Sequence, residues 1–244
     1  MKDNFTARSE LYKKFRPVYP DELYNFLMGL VATKNTAWDC GTGNGQLALG
    51  LAKYFKEVYA TDISEKQISN AVKENNIFYK VESAERTSFP DNFFDLITVA
   101  QAIHWFNFDA FYREVKRTIK TGGVLAVTGY GLVRIDEQTD KIINKFYCEV
   151  IGCYWNKERK YVDENYQTIP FPFKEIKTPS LINTFQWTFE QLTGYLQTWS
   201  AVQHFIKANN KDPVEIIYEE LKNAWGNDPI KTIRFPILLR VAKL

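Results

Sequence analysis

Apolar residues recur along this chain at two spacings, and the switch between them marks out its elements. Leu23, Phe26, Leu27 and Leu30 lie three and four apart, the spacing of one helix face, and predict a helix over Asp21–Val31. From there short apolar runs alternate with helical patterns. Strands are predicted at Thr36–Cys40, Val58–Asp62, Ile77–Val81, Phe94–Ala100 and Val124–Thr128, and helices at Gln46–Phe55, Ser64–Glu74 and Phe108–Ile119. Ser64 is the N-cap of its helix, and Gly122 and Gly123 introduce the fifth strand.

Beyond Thr128 the rhythm changes. A long helical stretch over Asp136–Tyr154 is followed by an irregular passage in which Pro170 and Pro172 break regular structure. A strand over Glu175–Trp187, a helix over Glu190–Ala208, a helix from about Asp212 and a last strand over Phe235–Ala242 complete the pattern. Strands alternating with helices imply an α/β fold: a Rossmann-like, mostly parallel sheet covered on both faces, with ligands beyond the carboxyl ends of its strands.

At 244 residues the chain suits a single domain. We divide it into an N-terminal helical cap (1–34), a core that binds the ligand (35–130) and lid insertions (131–172 and 188–228). Lys plus Arg number 31 against 29 Asp plus Glu, for a net charge of +2, so no overall basic field draws in nucleic acid. Three cysteines without a C-x-x-C pair argue against a disulfide framework and against a zinc site, and suggest buried thiols in a reducing cytosol. No segment approaches the ~20 apolar residues of a membrane span, so a soluble cytoplasmic protein is expected.

The stretch TAWDCGTGNGQLA, residues 36–48, carries the chemistry. A dinucleotide fold needs G-x-G-x-x-G, but Gly41, Gly43 and Gly45 are followed by Gln46 where close helix packing calls for a small residue. Asp39 would also repel a pyrophosphate. A cationic ligand reverses that sign. S-adenosylmethionine carries a sulfonium and an ammonium, which Asp39 can attract directly or through water while glycine backbone comes close. Asp62, ending the second strand, is positioned for both ribose hydroxyls.

With these residues, the segments VYATDIS (58–64), AERTSFPDNFFDLITVAQAIHWF (84–106) and GGVLAV (122–127) resemble a class I S-adenosylmethionine-dependent methyltransferase. The passages YKKFRPVYP (12–20), YWNKERKYVDENYQTIPFPF (154–173) and TWSAVQ (198–203) are similar to the small-molecule branch that includes the yeast-type trans-aconitate methyltransferases. The resemblance implies a seven-stranded sheet with an antiparallel last strand. It also implies that Asp39, Gly41, Gly43 and Gly45 hold the amino-acid end of the donor, and Asp62 with Ile63 the ribose side. Ala84 and Glu85 would line the adenine pocket, with Ser83 where many relatives have Asp. Gln101 would lie beside the methionine part, and Tyr12 and Arg16 would close over the donor carboxylate.

His104, one of two histidines, follows the fourth strand at the ligand edge, and its near-neutral reference pKa suits it to take a proton or to orient an acceptor. Trp105 stands beside it. Residues 146–205 hold 14 of the 38 aromatic residues, an enrichment that falls in the lid. Trp155, Phe171, Phe173, Trp187 and Trp199 are candidates to roof an apolar pocket, with Arg159, Arg134 or His204 anchoring an anionic group. No N-P-P-Y or D-P-P-Y motif of base-amine methylation is present. The expected activity is methyl transfer to an oxygen, such as a carboxylate, or to a nitrogen of a small molecule, without a metal. An RNA acceptor and a catalytically idle donor-binding scaffold stay open, as does the oligomeric state.

Overall fold

The structure, a computed structural model, describes residues 17–244. Helix α1 (Asp21–Leu30) leads into alternating β1 (Thr36–Cys40), α2 (Gln46–Leu51), β2 (Glu57–Asp62), α3 (Glu65–Ser69) and β3 (Ile77–Val81). Then come β4 (Phe94–Ala100), α4 (Phe108–Thr118) and β5 (Ile119–Tyr130). After the lid segments, β6 (Glu175–Ile176), β7 (Ile182–Trp187) and β8 (Lys231–Lys243) complete the sheet, in the order β3-β2-β1-β4-β5-β8-β6, with β7 also on β8. Strands β1 to β5 are parallel, and β8 runs against β5, β6 and β7.

The sheet is therefore mostly parallel, as the alternating pattern predicts, with the antiparallel last strand that the resemblance implies, but one expected strand is divided. Glu175–Trp187 splits at residues 177–181, where Pro179 has no N–H for a ladder, and both halves pair with the long β8. The implied seven strands thus become eight among the described residues.

Alternation along the strands sends side chains to two cores. Ala37, Leu96, Val124 and Ala126 face one layer, together with α1, α2 and the helical residues Leu192, Val202 and Ile217 from later in the chain. Trp38, Cys40, Ile97, Val99, Leu125 and Val127 face the other, with α4. Cys40 is the only one of the three thiols that is buried; Cys148 and Cys153 are exposed, against expectation.

Several helices are shorter than their periodicity suggests, for local reasons. Ser64 caps α3 by accepting from Gln67 N, but the helix ends at Ser69 because Asn70 turns its amide back onto Lys66 O. Helix α5 (Glu137–Lys145) gives way to a π-turn (Phe146–Val150) and a 3-10 turn (Gly152–Tyr154), separated by Ile151. A further 3-10 turn (Lys157–Arg159) leads into α6 (Lys160–Asp163). The helix expected over Glu190–Ala208 is two, α7 (Phe189–Gln197) and α8 (Ser200–Asn209). Thr198 bonds back to Tyr195 O, and extended backbone at Trp199 lets its indole sink into the lid. Helix α9 (Val214–Trp225) follows. No helix among the described residues is long and apolar enough to cross a membrane, and no group of side chains among them could hold a metal ion.

Candidate active site

The loop after β1 turns back on itself because Gly41, Gly43 and Gly45 all take positive φ, the region glycine enters without steric cost. At Gly45 a Cβ would also lie 2.2 Å from Tyr79 Oη, whereas at Gly43 it would meet nothing within 4 Å. Gly43 thus presents open backbone to a cleft of about 950 Å³, measured with its open mouth. Asp62 reaches in from the end of β2 and fixes the loop: one oxygen accepts from Gly43 N and the other from Ser64 N, both at 2.9 Å. Each carboxylate oxygen can accept more than one hydrogen bond, which suits this side chain to a ligand's hydroxyl groups.

The cleft is lined further by Ile63, Ala84, Gln101 and Phe106. Its charged lining residues among those described are Asp62 and Glu82, with no Lys or Arg. A diphosphate would be repelled here and a cation with hydroxyl groups would fit. Asp39 does not line this space. Its carboxylate points into the interior, where Thr42 Oγ1 (2.6 Å), Ala48 N (3.1 Å) and Thr98 Oγ1 (3.1 Å) donate to it. Burial pushes its pKa up to about 6 despite those bonds. Of the two contacts expected of Asp39, direct or through water, the inward-facing carboxylate does not offer the direct one.

Ser83 and Glu85 are likewise outside the cleft lining. The Ser83 hydroxyl donates to Glu85, whose other oxygen accepts from Asn107 N at 3.0 Å, so the pair ties this turn to the start of α4. Tyr12 and Arg16 lie outside the described residues.

Gln101 follows β4 with φ at +53°, a left-handed conformation uncommon outside glycine, and so turns toward the cleft. Its Nε2 donates to Tyr130 O (3.0 Å) and its Oε1 accepts from Tyr166 Oη (3.3 Å). Tyr166 is fully buried and lies near-parallel to the His104 ring, 6.2 Å away between centroids. Arg240 holds Tyr166 from behind, donating to the carbonyls of Tyr166 and Ile169 while pairing with Glu175.

His104 sits in a 3-10 turn (Ile103–Trp105) with 8% of its surface exposed and Trp105 against its ring. Burial first, and then the charge of Arg159, pull its pKa down to about 3. The near-neutral value expected from sequence is corrected: His104 is uncharged at physiological pH and a weak base. Arg159 donates from Nε to Tyr147 Oη (2.7 Å) and Asp163 (3.3 Å), and its guanidinium lies 4.7 Å from the Trp155 ring. Trp199 packs behind Trp155 and Tyr147. The structure thus gathers His104, Trp105, Trp155, Arg159 and Trp199 into one region.

The remaining lid candidates do not join them. Phe171 and Phe173 pack on Tyr112 in the α4 layer, and Trp187 packs on Phe235 and Tyr195 in the other. Arg134 is half exposed beside Asp140, and His204 Nδ1 bonds Tyr154 O. Aromatic density alone could not separate roof from core. Tyr147, Tyr166 and Glu82 went unnoticed in the sequence. Glu82 could have been found two positions before Ala84, whereas nothing local distinguishes Tyr166 from the lid's other tyrosines.

A family model described as methyltransferase domain matches residues 38–127. A Dictyostelium discoideum protein described as a methyltransferase is 39% identical over 249 residues, covering 99% of this chain and 95% of that relative. A Saccharomyces cerevisiae protein described as an S-adenosylmethionine-dependent methyltransferase is 24% identical over 262 residues, covering 90% of this chain and 88% of its own. A solved structure described as a type II methyltransferase, from Anaeromyxobacter dehalogenans, superposes with a TM-score of 0.87 at 37% identity, covering 94% of this chain and 98% of that one.

Proposed function

Given that the chain belongs to the S-adenosylmethionine-dependent methyltransferases, with S-adenosylmethionine as its methyl donor, we propose that it methylates an oxygen of a small-molecule acid. This is the chemistry implied by the likeness to the trans-aconitate branch. The observation that carries it is the junction at Gln101: one residue lines the cleft and also bonds Tyr166, which leads directly to His104 and Arg159.

In this reading Asp62 holds the donor's ribose, Ile63 and Ala84 flank its adenine, Gly43 offers backbone to the amino-acid end, and Gln101 stands beside the methionine part. Tyr12 and Arg16 belong to the donor carboxylate. The bound donor supplies an electrophilic methyl carbon, whose transfer to a carboxylate oxygen releases no proton. A base is therefore not required, which suits a histidine held neutral by burial. His104, Trp105, Trp155, Arg159 and Trp199 orient the acceptor and keep water from the reacting atoms, the two contributions such a transfer most needs. The cap, core and lid divisions given above follow the same assignment.

The test is methyl transfer from radiolabelled S-adenosylmethionine to matched panels of carboxylic acids, phenols and amines. Base-labile methyl esters are expected. Label appearing only in amines, phenols or RNA would overturn the acceptor assignment while leaving the family intact.

A further inference from the structure

Two polar side chains near the cleft, half-buried Arg159 and buried His104, have hydrogen-bonding capacity that the described residues do not fill. Arg159 commits Nε to Tyr147 and Asp163, and neither terminal nitrogen donates to any group among the described residues. The rings of Trp155 and Tyr147 lie 4.7 and 5.4 Å from the guanidinium carbon, which leaves the planar edge as the approach for a ligand. The second group is His104 Nδ1, buried and without a hydrogen-bond partner among the described residues. An unmade hydrogen bond on a buried group is costly, so it marks a place where a ligand completes the structure. The two belong together, because the turns that carry them pack on one another and Arg159 acts electrostatically on the imidazole.

We infer that Arg159 and His104 grip one carboxylate between them, and that the acid carrying it has a flat, apolar body. The inference rests on reading this cluster as the acceptor side of the active site. The guanidinium edge presents parallel N–H donors that match two carboxylate oxygens, and a neutral imidazole adds a third donor when its proton is on Nδ1. Charge favours a monoanion over a dianion. The Arg159 guanidinium is shared with the half-exposed Asp163, Tyr147 and Tyr166 are held in their un-ionised forms chiefly by burial, and His104 is neutral. A phosphate dianion would therefore bring a second charge that none of these groups offsets. The shape follows from the walls. Tyr147, Trp155 and Trp199 form a mutually packed set with centroids 4.8 to 5.7 Å apart, and Trp105 covers His104 at 4.9 Å. Such surfaces stack against a conjugated or aryl group and give a polyhydroxylated one little to bond.

The test uses the full-length protein labelled with ¹⁵N-histidine and saturated with S-adenosylhomocysteine, so that no turnover occurs. Only two histidines contribute signals, and His104→Asn assigns them. Titration with cinnamate is expected to move the His104 Nδ1 resonance and leave His204 in place, while cinnamamide, the uncharged isostere, moves neither. By calorimetry Arg159→Gln should weaken cinnamate at least tenfold and Arg159→Lys should restore part of that loss, with S-adenosylhomocysteine affinity unchanged in both. The inference fails if saturating cinnamate, benzoate and indole-3-carboxylate all leave the wild-type His104 signal unmoved, a result that needs no variant to fold. It also fails if folded Arg159→Gln binds cinnamate as wild type does. Acids that bind this way yet are never methylated would leave the grip standing and remove the acceptor reading. A methylated acid whose KM ignores Arg159→Gln would do the reverse.

Discussion

Replacing Asp39 by Asn separates what its buried carboxylate does to the fold from what it does for the ligand. All three bonds to it can be kept. The Asn oxygen takes over from Thr42 and Ala48, and the Asn nitrogen donates to Thr98 Oγ1, whose own proton turns to Trp38 O at 3.3 Å. Only the charge is lost. In the folded chain burial raises this carboxyl to about 6 from its ordinary 3.8. At ~1.4 kcal/mol per pH unit the gap amounts to about 3 kcal/mol. A folded pKa above the unfolded one means that the fold binds this proton more tightly, so the associated stability is full below the unfolded value and is lost as pH rises through about 6. At pH 7 Asp39→Asn should therefore be more stable than wild type, by up to about 3 kcal/mol in urea unfolding, with the advantage vanishing toward ~pH 4. Affinity for S-adenosylmethionine should move the other way, falling roughly tenfold at pH 7 as attraction for the sulfonium and ammonium is removed. A stability difference that stays constant between pH 4 and 7, together with unchanged calorimetric affinity, would refute the reasoning.

Asp62→Ala should weaken S-adenosylmethionine by about 1–3 kcal/mol, the scale of charge-assisted hydrogen bonds lost from a partly buried site; equal calorimetric affinities would remove Asp62 from the ribose. Gly45→Ala imposes a side chain on a φ of +83° and drives Cβ toward Tyr79 Oη, so thermal unfolding should report a loss of about 2 kcal/mol. Combining it with Tyr79→Phe should recover part of that loss, and a double variant no better than the single one would trace the cost to backbone strain alone.

The parallel half of the sheet was legible because its signals are local. Runs such as FDLITVA (94–100), buried over all but the last residue, have the length and apolar continuity of central strands, and the glycine loop announces its turn through residue type. Asp62 followed, since the carboxyl edge of such a sheet is where its ligands collect, whereas Ala84 and Gln101 came only through the likeness to the methyltransferases. What the sequence withheld depends on orientation. Asp39 was rightly seen at the loop, but nothing in DCGTGNG says that Thr98, 59 residues away, holds its carboxylate facing inward. His104 looked titratable because its burial is a tertiary fact, created by Trp105, Tyr166 and Arg159 arriving around it. The lid was hardest, because helical periodicity runs straight through Trp199, where the chain breaks to bury an indole.

The position of β8 has a consequence for how the molecule comes into being. Residues 231–236 pair with β7 and residues 237–243 with β5, and Val241 and Ala242 also carry β6 on their other side. On the ribosome, β1 to β5 can assemble as they emerge, but the free edge of β5 has no neighbour until these late residues arrive. For that interval an apolar parallel sheet exposes an unpaired strand, the kind of edge on which nascent chains aggregate. A chain ended before residue 231 would keep the residues of its ligand loop but leave the outer edge of β5 without the strand that covers it.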